Sequence, residues 1–232
     1  MLDNPPLLTV HRGFRRAPAA LLERFRGAQT SHLVDAMEGR GALDWRIKPL
    51  DPANASFVGP ALTAFAYPAD VVGVMGALAE AQPGDAVLVA NDGYLGTAVV
   101  GDLVIGMMRN KGVAAFVTEG LARDKAGILA TGLPVFCAGV VPTSPATNGP
   151  GTVGAPITCG GLHVRPGDVV VGDADGVVVV PLDRAEAVLA SLDAVRAAEA
   201  KAAAAVEGGA TESEKVRRIM AAARVVEAAT AG

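Results

Sequence analysis

Residues 83–118 read PGDAVLVANDGYLGTAVVGDLVIGMMRNKGVAAFVT, and the order of patterns within them decides the fold class. Pro83-Gly84-Asp85 is turn chemistry: proline presets its own φ, and glycine tolerates the conformations that other residues avoid. Ala86 to Ala90 follows as a wholly apolar run of strand length, which suits a strand covered on both faces. Thr97 to Lys111 has helical spacing and stops at Gly112, the residue type that most readily closes a helix in the left-handed conformation. Val113 to Thr118 is the next buried strand. Strand, helix, strand is the unit of a layered α/β fold rather than an all-β sandwich.

Working outward, Pro18 to Met37 reads as two short helices, with Thr30 or Ser31 capping the second. Phe57 to Tyr67 is a strand and Asp70 to Glu80 a helix. Downstream, Leu121 to Ala130 is a short helix stopped by Gly132 and Pro134, and Val135 to Val141 is a strand. Residues 142–156 are rich in Pro, Gly, Ser and Thr and read as a loop. Val169 to Val171 and Val177 to Val180 flank Ala174-Asp175-Gly176, which is a hairpin signal. Pro-Gly-Asp recurs at 166, but two turn phrases are too little to establish a duplication.

After Pro181 the composition shifts to Ala, Glu, Lys and Arg. Val188, Leu192 and Val195 keep helical spacing, with Leu189 beside them, and Glu199 falls where the next apolar residue is due. A second helical segment, Glu212 to Ala229, follows Gly208-Gly209. The expected organisation is a single α/β domain over 1–181 and a helical extension over 182–232, packing on the body or on a neighbouring subunit. Narrow apolar stripes on Ala-rich helices need a partner, so the chain is expected to oligomerise.

Composition narrows the function classes. With 232 residues, 51% of them hydrophobic, the chain buries a full core. Aromatics are only 4%, so Ala, Val and Leu must build that core. Twenty basic against 24 acidic residues give a net charge of −4 and no phosphate-binding stripe, which argues against a nucleic-acid ligand. No apolar run reaches the roughly 18 residues of a membrane span, and the start lacks the layout of a signal peptide. Cys137 and Cys159 form neither a disulfide framework nor a C-x-x-C pair and read as reduced, buried thiols of a cytoplasmic protein. Gly149 to Gly154 matches G-x-G-x-x-G, yet a loop precedes it and Pro150 sits inside it, so it reads as turns. His11, His32 and His163 are far apart in sequence and could still converge in space, but a lone histidine is more often a surface or hydrogen-bonded residue than a metal ligand.

Three ionised side chains stand out against this background of small residues. Asp102 follows Gly101 near the start of the helix that ends at Lys111. Arg123 and Asp124 lie just past the strand Val113 to Thr118, where α/β sheets place ligand sites. The free backbone N–H groups of Gly101, Asp102, Leu103 and Val104 at a helix start are a cradle for a carboxylate. An arginine holds a carboxylate or an enolate with two donors, and an aspartate holds a hard divalent ion with waters completing the shell. The plainer alternative stays open: Arg-Asp as a cap and surface ion pair, and Asp102 as an acid favoured by the helix dipole.

Gly101-Asp102-Leu103-Val104, then Gly112 through Glu119-Gly120-Leu121-Ala122-Arg123-Asp124, resembles the signature of the RraA-like family: Asp, twenty residues, Arg-Asp. The resemblance extends to Ser31 through Met37 and to VVVGDADGVVVVP at 169–181, and covers roughly residues 25 to 200. It implies an α/β/β/α sandwich with C-terminal helices, assembled as a homotrimer or hexamer with sites at subunit interfaces. It also implies a lyase that needs Mg²⁺ or Mn²⁺, cleaves a 4-hydroxy-2-oxo dicarboxylic or tricarboxylic acid to pyruvate and a second oxo-acid, and decarboxylates oxaloacetate as a side activity. By matching position, Arg123 binds substrate and stabilises the enolate, Asp124 holds the metal, and Gly101 to Val104 bind the pyruvoyl end. Asp102 also orders water at the metal. Glu199 crosses to a neighbour's site or serves as an interface acid.

Three positions depart from the family pattern: Glu119 where Asp is usual, Lys125-Ala126-Gly127 where some members have a further acid, and Thr147-Asn148 where some aldolases have a lysine. The alternative function within the family is a non-enzymatic regulator that binds and inhibits a ribonuclease. A methyltransferase reading lacks its glycine loop between a strand and a helix.

Overall fold

The computed structural model describes residues 5–222 and 224–226. Among these described residues, those up to Leu192 form one compact unit, and those from Asp193 onward form a second.

The first unit is organised by Phe57–Ala66, a ten-residue strand long enough to serve two sheets. Its first part, Phe57–Pro60, pairs antiparallel with Gly172–Val169, and Val169–Asp173 in turn pairs with Gly176–Val180. Its second part, Ala61–Phe65, runs parallel to Ala86–Ala90. Gly59 stands where these partners meet: a Cβ there would lie 2.4 Å from the Gly84 carbonyl oxygen. The larger sheet runs Leu8–Val10, Gly151–Val153, Phe57–Ala66, Ala86–Ala90, Ala115–Thr118, Val135–Cys137, Lys48–Pro49. Its four middle strands, from Phe57–Ala66 to Val135–Cys137, are parallel. Parallel neighbours need crossovers, and the helices Val72–Glu80, Asp102–Asn110 and Lys125–Thr131 supply them.

Side-chain alternation shows the layers. Val87 and Val89 join Leu62, Ala64, Phe116 and Ile105 in one core, between this sheet and the crossover helices. Ala86, Leu88 and Ala90 point the other way, into a second core with Val117, Phe136, Val170, Val177 and Val179. In the hairpin, Val169, Val171, Val178 and Val180 turn toward a third core with Phe25, Leu33, Val188 and Leu192. Three cores between four layers make an α/β/β/α sandwich. Phe57 and Phe136 meet edge to face at 5.4 Å, an arrangement that adds about 0.5–1.5 kcal/mol beyond area burial.

Several elements differ from the sequence expectations. The helix expected from Thr97 begins at Asp102, because Ala98–Val100 is a buried strand. Leu121–Ala122 is also strand, and the helix there starts at Lys125. Short apolar runs carry no period that separates strand from helix, and these strands pair only with each other and with Gly139–Val140. The loop at 142–156 contains the strand Gly151–Val153, and Ile157–Cys159 pairs with Leu162–Val164 as a hairpin. Neither Thr30 nor Ser31 caps its helix. Thr30 instead presents its N–H and Oγ1 to Asp173, at 2.8 and 2.7 Å, so a hairpin residue satisfies the helix start.

In the second unit, Glu214–Met220 is helical with Ser213 as its cap; residues 223 and 227–229 of the expected segment lie outside the described residues. No helix among the described residues is long and apolar enough to cross a membrane.

Candidate active site

The small parallel sheet Ala98–Val100, Leu121–Ala122, Gly139–Val140 positions the site. Arg123 N–H donates to the Val100 carbonyl at 3.0 Å, so the two chains leave the sheet side by side. One continues as Gly101 into the helix Asp102–Asn110, the other as Arg123 and Asp124 into Lys125–Thr131. Gly101, Asp102, Leu103, Val104, Arg123 and Asp124 thus line one cavity of about 240 Å³. Ser144 and Thr147, from the loop after Gly139–Val140, line it as well. All six residues singled out in the sequence meet here, though 20 positions separate Asp102 from Arg123.

The Arg123 Nε lies 3.2 Å from Asp124 Oδ2, and Nη1 donates to Ser144 Oγ. Asp124 occupies the N-cap position in the left-handed conformation, at φ 58 and ψ 42, and its carboxylate makes no capping bond. Aspartate is among the few non-glycine residues that adopt this conformation readily, and doing so turns the carboxylate away from the helix and leaves it half exposed. Asp102 Oδ1 accepts from Leu103 N–H at 2.8 Å. The N-cap of that helix is Gly101, which has no side chain to close the helix start.

Two glycines make the close approach possible. A Cβ on Gly101 would lie 2.8 Å from Asp124 Oδ2 and 3.2 Å from Arg123 Nε. A Cβ on Gly127 would lie 2.3 Å from Asp102 Oδ2.

Buried Asp70 anchors the loop that carries Ser144 and Thr147. Its Oδ2 accepts from Asn148 and Gly149 N–H at 2.6 and 2.9 Å, and its Oδ1 from Val72 N–H at 2.7 Å. Gly127, Ser144 and Asp70 were not singled out from the sequence, where each resembles an ordinary turn or helix residue. An acid two residues before a helix start was the one available signal for Asp70. Glu119 does not line this cavity: it ties down two loops, accepting from Asn91, Gly93 and Gly160 N–H at 2.8–3.2 Å. Glu199 belongs to the second unit, where it is exposed.

The donor set is compatible with a hard divalent ion. Asp102 and Asp124 are the carboxylates of the cavity, and among the described residues no group of three or more His, Cys, Asp or Glu is placed to hold a metal. Mg²⁺ is commonly held by one or two carboxylates and retains several waters, whereas a zinc cage needs more protein ligands. A Cβ on Gly101 would crowd Asp124 Oδ2, which pairs with Arg123 Nε, and the half-exposed carboxylate makes no capping bond that would compete with such an ion.

A family model described as RraA-like, Aldolase/RraA, matches residues 30–179. A relative from Halalkalibacterium halodurans, named "Putative 4-hydroxy-4-methyl-2-oxoglutarate aldolase", is 39% identical over 174 residues, which is 75% of this chain and 82% of that protein. A crystal structure of an uncharacterized protein from Pseudomonas syringae superposes with a TM-score of 0.74 at 26% identity, over 85% of this chain and 97% of that one. RraAS2 of Streptomyces coelicolor, described as an unusual member of the RNase ES inhibitor RraA protein family, gives a TM-score of 0.72 at 27% identity, over 81% and 98%.

Proposed function

The chain belongs to the RraA-like family, and on that premise we propose that it is a divalent-metal-dependent aldolase that cleaves a 4-hydroxy-2-oxo dicarboxylic or tricarboxylic acid to pyruvate and a second oxo-acid. One observation carries this reading: Arg123, Asp124, Asp102 and the open helix start at Gly101 face a single cavity. No lysine lines that cavity among the described residues, so a Schiff base has no candidate there.

In this reading the N–H groups at Gly101 to Val104 receive the substrate carboxylate, favoured by the positive end of the helix dipole. Arg123 directs its donors at the 2-oxo oxygen, where negative charge grows as the C3–C4 bond breaks, and so binds the transition state more tightly than the ground state. Asp124, with Asp102 beside it, would hold Mg²⁺ or Mn²⁺ largely through waters. When bound, the ion supplies Lewis-acid polarisation of the 2-oxo group. Asp102 Oδ1 is occupied by Leu103 N–H, which leaves Oδ2 to order water and to accept the C4 hydroxyl proton through it. The same enolate chemistry predicts oxaloacetate decarboxylation as a side activity.

We read the protein as a homotrimer or hexamer in the cytoplasm. Leu103 and Met107, one turn apart at the cavity's helix, are exposed apolar residues consistent with a subunit contact. Light scattering on the purified protein tests the assembly.

A pyruvate-coupled assay with oxaloacetate and branched 4-hydroxy-2-oxo acids, with and without Mg²⁺, tests the activity. Turnover that EDTA abolishes is expected; turnover that persists in excess chelator overturns the metal-dependent reading. The rival, a ribonuclease regulator, draws on the description of the Streptomyces coelicolor neighbour. It predicts inhibition of a ribonuclease that Arg123→Ala leaves unchanged.

A further inference from the structure

The second unit builds two helices and no core of its own. From Ala197 onward every described residue is exposed. Glu214–Met220 has seven residues, and Ser213 Oγ closes its start by accepting from Val216 N–H at 3.2 Å. A helix so short is held in water by packing, not by propensity. Its apolar side chains therefore need a surface to cover them.

The unit carries two surfaces that fit each other. One is a groove of about 740 Å³ between the end of Ala185–Glu207 and the turn and helix that follow. Ala198, Ala202 and Ala205 lie along its wall, on one helical face, and their single methyl groups let another helix come close. The other surface is a ridge. Val216, Ile219 and Met220 stand three and four positions apart on Glu214–Met220 and are 43%, 52% and 64% exposed. The ridge does not line the groove, to which the same helix contributes Glu214, Lys215 and Arg217. Groove and ridge thus lie on different sides of that helix and cannot meet within one copy.

We propose that this helical pair docks on the same pair of a second copy, each ridge seated in the other's groove. The proposal is independent of the aldolase reading. The contact is two-fold, with residue Ala202 of each copy against Ile219 of the other, the self-complementary form that most dimers take. Charge favours a copy of this chain over a strongly acidic or basic partner. Residues 193–232 carry six acidic and six basic side chains, so the unit does not repel its own copy as a surface of one sign would. The groove itself mixes Glu212 and Glu214 with Lys201, Lys215 and Arg217, which gives each sign an opposite to meet across a two-fold axis. A trimer holds an odd number of these units. Pairing them two by two therefore joins one trimer to another and makes a hexamer.

Light scattering on the full-length protein tests this from both surfaces. Ile219→Glu puts a charge on the ridge, and Ala202→Glu puts one in the groove. Each is expected to halve the mass of the parent assembly while circular dichroism of the body stays unchanged. A parent mass that both variants retain overturns the proposal.

A second variant identifies the occupant. Ala202→Cys and Ile219→Cys in one chain, mildly oxidised, should give a reducible dimer on a denaturing gel, because the two positions face each other only across copies. A chain that stays monomeric there means that the ridge is covered by its own body or by another protein, and overturns the proposal. Pyruvate release is a separate readout: its absence would count against the aldolase reading and leave the pairing standing.

Discussion

Arg123 donates through Nη1 to Ser144 Oγ, so a side chain from the far wall of the cavity fixes the plane of the guanidinium. The bond touches no substrate atom. Its value lies in aiming the remaining donors, because a long side chain held in one rotamer loses less entropy when the transition state forms. Ser144→Ala is therefore expected to lower kcat about tenfold with little change in KM, the effect of about 1.4 kcal/mol of lost positioning. Ser144→Thr, which keeps the oxygen, should recover most of the rate. Steady-state kinetics on both variants checks this, and an unchanged kcat in the alanine variant removes Ser144 from the mechanism.

Asp70 holds that loop from beneath. Three backbone N–H groups converge on its buried carboxylate, from Val72, Asn148 and Gly149. Asparagine at this position keeps the shape but turns a donor toward donors, so at least one N–H is left without a partner. Asp70→Asn should lower unfolding stability by about 1–3 kcal/mol in urea titration and raise KM as the loop loosens. A variant as stable as the parent contradicts this role.

Gly127 shows where a site hides in a helix. It sits in the first turn of Lys125–Thr131, where a methyl group ordinarily adds up to about 1 kcal/mol of helix propensity. Here that methyl would occupy the place of the Asp102 carboxylate, 2.3 Å from Oδ2. Gly127→Ala is expected to leave the fold intact and to cut turnover by about 100-fold, the cost of a displacement near 1 Å at the reacting groups. Circular dichroism and the pyruvate assay, run together, separate the two effects.

The parallel strands and the valine hairpin were legible because each is a local pattern. Ala86–Ala90, Ala115–Thr118 and the pair Val169–Asp173 and Gly176–Val180 all carry strand signals within a few residues, and the turn chemistry beside them marks their ends. Asp102, Arg123 and Asp124 were legible for a related reason: few ionised groups interrupt the apolar segments around them. The three-stranded sheet that unites them was not. Ala98–Val100 and Leu121–Ala122 are too short to carry a period, and each is a strand only because the other is present. Ser144 and Asp70 escaped for a similar reason, since a loop hydroxyl and a loop carboxylate acquire meaning only through partners 21 and 78 positions away.

Cys159 supplies a dependence on pH. Burial is the main force pushing its thiol well above the ordinary value, and the nearby Glu119 charge adds to it. The folded state therefore keeps a proton that the unfolded chain releases in alkali. The resulting stability is complete below the unfolded thiol's ordinary pKa, about 8.5, and declines as pH rises beyond it, by up to about 1.4 kcal/mol per pH unit. Urea unfolding at pH 8 and pH 10 should show a smaller loss in Cys159→Ala than in the parent. In the folded protein the thiol should resist alkylation at pH 8, and rapid labelling there contradicts the burial.

Asp124 sets function against stability. Its left-handed backbone is a conformation that glycine adopts without penalty, and its carboxylate makes no capping bond that a substitution would forfeit. The ion pair to Arg123 is half exposed on both sides, so its loss costs at most about 1 kcal/mol. Relief of backbone strain offsets that by a similar amount, about 0.5–1 kcal/mol. Asp124→Gly should therefore melt within about 3 °C of the parent. Its activity should be abolished, and Mg²⁺ should no longer raise its melting midpoint as it does for the parent. A structural cap would behave in the opposite way, since loss of its side chain would lower the midpoint whether or not metal is present. Thermal scans of both proteins with and without Mg²⁺ decide between a cap and a ligand.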